Sequence, residues 1–177
     1  MKTSSFFALV IQATVVLSLH AEAPRYGVQA LVNIPLGDLR SYANNNPGVG
    51  IGVQGTFDLS DGHMLRPRLD YGLYQQAHIA ATKQNASYFD LGGDYLYFFA
   101  DKPEGLYLTA GLAAVRWTFQ YQDPSTKATD DTTKLGVAAG IGYQWDYNIG
   151  TEARWLHSSV SRSFKADSVQ AAVTFRF

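Results

Sequence analysis

The 177 residues contain no cysteine. A disulfide framework and a thiolate metal site are therefore both excluded, even for a chain exported to an oxidising compartment. Charge of one sign is also missing, with 14 basic against 15 acidic residues, so neither a nucleic-acid partner nor a polybasic lipid patch is expected. After residue 23 no apolar run is long enough for a membrane helix. Glycines recur every second residue along 48–52, but no Lys-Ser/Thr follows them, which excludes a phosphate-cradling loop. No histidine spacing suits a metal: His20 falls in the leader, His63 in a turn and His78 in a loop. No cofactor is expected.

What the chain does contain is 14% aromatic residues, 16 glycines and a persistent period of two. Val169, Ala171, Val173, Phe175 and Phe177 fall on one side of a C-terminal strand, and Gln170, Ala172, Thr174 and Arg176 on the other. The same alternation marks 26–36, 49–59, 64–74, 89–99, 135–145 and 149–155. In the stretch 106–122 the apolar set is first Leu106, Leu108, Ala110 and Leu112, then Val115, Trp117 and Phe119. That change of phase predicts a β-bulge near Ala113-Ala114. Polar loops are expected at 37–48, 75–87, 123–133 and 158–167, and short turns at 60–62, 101–105 and 146–148.

Long and short connections alternate strictly, as in an even-stranded antiparallel barrel. Along its whole mature length the chain resembles the small eight-stranded outer-membrane barrels of the OmpA/OmpX type. The resemblance implies an all-β, up-and-down transmembrane β-barrel in a Gram-negative-type outer membrane, porin-like in build, with variable outer loops. Phe175 and the final Phe177 resemble the assembly signal of such barrels, which implies recognition by the barrel-assembly machinery. Outer-membrane lipid and lipopolysaccharide would be its surroundings. Lys2 followed by the apolar stretch 6–17 reads as a signal peptide over 1–21, cleaved after Ala21 in preference to Ala23, which Pro24 directly follows. The remainder, 24–177, about 155 residues, is one domain. Asn85-Ala86-Ser87 fits a glycosylation acceptor, incidental in a bacterial setting.

The inward face is expected to hold Asp58, Arg66, Arg68, Asp70, Asp90, Asp94, Glu152, Arg154 and Arg176. An eight-stranded barrel is only wide enough for side chains to fill, so these groups should pair as a plug rather than line a narrow channel. Asp90 and Asp94 give no separate reason for acid/base chemistry.

One constellation is enzyme-like. His157 and Ser159, two apart on the outward face, resemble the His and Ser of the lipid A 3-O-deacylase family, whose triad sits on the lipid-facing wall. The resemblance implies His157 as base and Ser159 as nucleophile of a lipid A esterase. Val160 stands where that family has Asn, and no Glu follows. Asp167 is the one later carboxylate and is expected in a loop. The leading expectation is therefore a non-enzymatic barrel with a structural or surface-interaction role.

Overall fold

The computed structural model describes residues 24–79, 82–100 and 102–177; the expected signal peptide lies outside them. The elements are β1 (Arg25–Leu36), α1 (Gly37–Tyr42), β2 (Gly48–Ser60), β3 (His63–Tyr74), β4 (Ala77–Ile79), β5 (Thr82–Phe98), β6 (Gly105–Gln122), β7 (Lys127–Gln144), β8 (Ile149–Ser159) and β9 (Lys165–Arg176). Every pairing is antiparallel. β1 pairs with both β2 and β9, and β3 with both β2 and β5, so the sheet closes on itself. β4 continues the β3 wall alongside β5. The result is an eight-walled, up-and-down barrel with no open edge.

Alternation decides which face each residue takes. In β1, Tyr26, Val28, Ala30, Val32 and Ile34 are exposed on the outer wall, while Gly27, Gln29, Leu31 and Asn33 are buried inside. β3, β8 and β9 follow the same rule. Pro67 points outward, and the β2–β3 pairing is interrupted opposite it, between Gln54↔Arg68 and Phe57↔Leu65, with the register unchanged. Its ring supplies no N–H to the ladder. Inside, glycines make room for rings: a methyl group at Gly72 would fall on the Tyr88 ring, and one at Gly142 on the Tyr107 ring.

The structure departs from the sequence reading at its outer end. β6 has no bulge; its pairing with β5 and β7 runs without a register shift. Val115 and Trp117 keep the inward phase and are fully buried. Arg116 points outward, exposed, with Nη2 3.4 Å from Asp131 Oδ2. The change of pattern records a change of surroundings, because this end of the barrel is apolar inside and polar outside.

The polar segments expected as loops are largely strand. β5 begins at Thr82, and β6–β7 pair up to Gln122↔Lys127. The 37–48 loop contains α1, entered through Gly37 at φ +52°. Leu39 and Ala43 from this segment are buried against Tyr74, Tyr88, Trp117, Leu156 and Ala166. Tyr42 packs edge-on to Phe119 at 5.2 Å and donates to Gln120 O at 2.9 Å. Burying Leu39 alone is worth about 1.5–3 kcal/mol. Thus α1 caps the lumen. The signal for it was the i, i+3, i+4 spacing of Leu39, Tyr42 and Ala43.

Candidate active site

Below the α1 cap the lumen is ionic. Arg66 donates through Nη1 to Glu152 Oε2 at 2.7 Å and through Nη2 to Glu152 Oε1 at 3.0 Å and Asp94 Oδ2 at 2.7 Å. Arg68 joins Asp94 at 2.9 Å, Asp70 at 2.7 Å and Asp90 at 2.8 Å. Arg154 donates to Asp70 at 2.9 Å and to Gln170 at 2.8 Å. The Tyr107 hydroxyl donates to Glu152 at 2.9 Å, and Gln29 donates to Asp70. Three guanidinium groups and four carboxylates, all buried, thus interlock across β3, β5 and β8. Such pairing offsets the cost of dehydrating each charge.

Two of the nine expected lumen residues stand apart. Asp58 is only half-buried, near the end of β2 where the wall meets its short turn. Arg176 is buried, but its guanidinium has no hydrogen-bond partner among the described residues. Phe175 and Phe177 lie on the outer wall, exposed.

A second polar group lies on that outer wall, at the upper ends of β8 and β9. The β8–β9 register places Ser159 opposite Lys165, His157 opposite Asp167, and Trp155 opposite Val169. Lys165 N–H turns away from β8 and donates to Asp38 Oδ2 of α1 at 2.9 Å. The Ser159/Lys165 and His157/Asp167 pairs are consequently of the non-hydrogen-bonded kind, in which facing side chains approach most closely. His157 Nδ1 lies 2.6 Å from Asp167 Oδ1, and His157 Nε2 lies 3.3 Å from Ser159 Oγ. Asp167 is therefore a strand residue aimed at the imidazole, and the expectation of a loop carboxylate is corrected. The reason is again strand length: β9 starts at Lys165, leaving only 160–164 to turn the chain.

Two further contacts fix the imidazole. Trp155 stacks on its ring, with centroids 5.5 Å apart and planes at 28°. On its other side Asp167 pairs with Leu36, the last residue of β1, in the β1–β9 ladder, which holds the carboxylate in place. With the proton on Nδ1 donated to Asp167, Nε2 is left as the acceptor for the Ser159 hydroxyl. These are the residue types that acyl transfer uses as nucleophile, base and orienting carboxylate. Val160 N and Ser161 N both donate to Phe164 O across the turn.

His63 heads β3, with its ring nitrogen against the Tyr95 hydroxyl, and His78 lies in β4. Among the described residues no group of three or more His, Asp or Glu is placed to hold a metal ion.

Solved structures similar to this one include small outer-membrane barrels. Ail, the attachment invasion locus protein of Yersinia pestis, superposes with a TM-score of 0.65 at 11% identity, covering 87% of this chain and 97% of that one. The N-terminal β-barrel domain of Pseudomonas aeruginosa OprF gives 0.60 at 16%, over 89% and 100%. Neisserial surface protein A gives 0.58 at 16%, over 89% and 99%. At these identities the likeness shows the fold alone. A sequence comparison with curated proteins finds no match. Residues 5–177 match the model of the outer membrane protein beta-barrel domain. With a closed eight-walled barrel and an apolar outer wall, the chain belongs to the outer membrane protein beta-barrel domain family and resides in the bacterial outer membrane.

Proposed function

We propose that this barrel is a serine hydrolase of ester-linked acyl chains in the outer leaflet, with Ser159 as nucleophile, His157 as base and Asp167 as the carboxylate that orients the imidazole. The observation that carries this reading is the 2.6 Å contact between His157 Nδ1 and Asp167 Oδ1, which brings a carboxylate to the pair as a third member. The triad faces outward at the rim of the apolar wall, where a lipid ester lies and a lumenal substrate does not.

Ser159 Oγ attacks the ester carbonyl as its proton passes to Nε2, and Asp167 stabilises the imidazolium that forms. Collapse of the tetrahedral intermediate expels the alcohol, which takes that proton. Water then cleaves the acyl-enzyme by the same route and releases a fatty acid. The N–H groups after Ser159 are engaged in the turn. Lys165, the cross-strand partner of Ser159, supplies in this reading the neighbouring cation for the developing oxyanion.

The test is expression in a Gram-negative host, with folding checked by heat-modifiable migration and lipids compared by mass spectrometry with those of a Ser159→Ala strain. Loss of an acyl chain from lipid A, or release of lysophospholipid, in the unmutated strain alone would support the reading and identify the lipid. Identical spectra from folded protein would overturn it.

A second reading, surface interaction through the outer loops, is favoured by the β6–β7 hairpin, which carries polar residues such as Gln120, Lys127 and Asp130 to Gln122↔Lys127. In this reading Phe175 and Phe177 serve assembly of the barrel. The α1 cap and the interlocked charges below it speak against a narrow channel.

A further inference from the structure

Below the triad, on the same two strands, the outer wall is hollowed. Ala153 pairs with Ala171, flanked in the same row by Ile141 and Val32. One row lower, Thr151 faces Val173, between Tyr143 and Ala30. Small side chains at Ala30, Ala153 and Ala171, bordered by larger ones, make a shallow apolar depression on the lipid side of β7, β8, β9 and β1. Between it and the His157–Asp167 pair stand only Trp155 and Val169, and the Trp155 ring, stacked on His157, walls the path.

Resting on the hydrolase reading, we propose that this depression seats the acyl chain of the ester cleaved at Ser159, and that Ala153 and Ala171 set the chain length accepted. Ser159 and Ala153 are six residues apart, about 20 Å along an extended strand. At the usual barrel tilt this is about 15 Å of depth. That depth equals about half of the ~30 Å hydrocarbon core, the reach of one leaflet's acyl chain. A chain that follows the tilted β8–β9 strands from a carbonyl at Ser159 ends among Ala153, Ala171 and Ala30, where the wall recedes. The occupant is long, unbranched and apolar; no polar side chain on the outer face lies between Trp155 and Thr151 on β8.

The test fills the hollow from the lipid side, where added bulk leaves the lumen untouched. Ala153→Phe and Ala171→Leu are compared with the unmutated protein in mixed micelles, using p-nitrophenyl butyrate and p-nitrophenyl palmitate. Leu91→Phe, on the outer wall of β5, serves as a control. Both filled variants should lose roughly tenfold or more in kcat/KM on palmitate while keeping their rate on butyrate, and the control should lose neither. Having two variants guards against one that fails to fold. An unchanged palmitate-to-butyrate ratio in a folded, active variant would refute the acyl seat and leave the hydrolase standing. No cleavage of either ester by folded unmutated protein would remove the hydrolase reading and the seat with it.

Discussion

His157 and Asp167 are cross-strand partners, with Nδ1 2.6 Å from Oδ1, on the outer face of the barrel and apart from the interlocked charges of its lumen. A carboxylate spent on holding an imidazole at a membrane rim is hard to explain as packing, since one partly exposed cross-strand contact contributes little stability. Asp167→Asn should therefore lower ester hydrolysis by about 10²–10⁴-fold while the barrel unfolds at the same urea concentration. Equal activity of the Asn variant would refute the orienting role.

Glu152 accepts both terminal nitrogens of Arg66 and the Tyr107 hydroxyl. Glu152→Gln removes the charge and leaves part of a buried guanidinium uncompensated. The expected loss is about 3–5 kcal/mol, read as a lower urea midpoint in detergent by tryptophan fluorescence. A shift under 1 kcal/mol, about the scale of an exposed pair, would show that the lumen is more hydrated than its geometry implies.

Leu39 is fully buried in the outer cluster beneath α1. Leu39→Ala should cost about 2–5 kcal/mol locally and expose 37–43 to limited proteolysis, while the β-sheet signal in circular dichroism is unchanged. Resistance of that segment to proteolysis would mean that Tyr42 and Ala43 hold the cap without it.

Asp123 accepts Ser125 N at 2.8 Å and Thr126 N at 2.6 Å, closing the β6–β7 hairpin. These amide donors hold its carboxyl below the ordinary range. A depressed folded value means that the turn's contribution is present above the ordinary pKa, about 3.9, and is lost as pH falls through the lower value. Amide shifts of Ser125 and Thr126 should stay constant down through that ordinary range and move only below it. A midpoint at or above the ordinary value would show that the turn does not depend on this carboxylate.

The sequence was legible wherever the outer wall meets lipid. Period-two alternation assigned the faces of β1, β3, β8 and β9, because lipid imposes an apolar outside on every second residue there. The same rule misled at the upper end of β6. Val115 and Trp117 are apolar for packing under α1, and Arg116 faces water, so the polarity of the two faces exchanged without any exchange of direction. Loop lengths were overestimated for the same reason: Thr, Asp and Lys in 127–134 are strand residues beyond the apolar wall.

By itself, the sequence determined the barrel, the inward charges and the shared outward face of His157 and Ser159. These follow from local alternation and from the width of eight strands. Only the tertiary structure decided that Asp167 meets His157, that Arg66 pairs with Glu152 across the lumen, and that a short helix caps the mouth. Each of these depends on register between strands or on a segment folding back over the barrel. Cross-strand register joins residues distant along the chain, and no local period in the sequence encodes it.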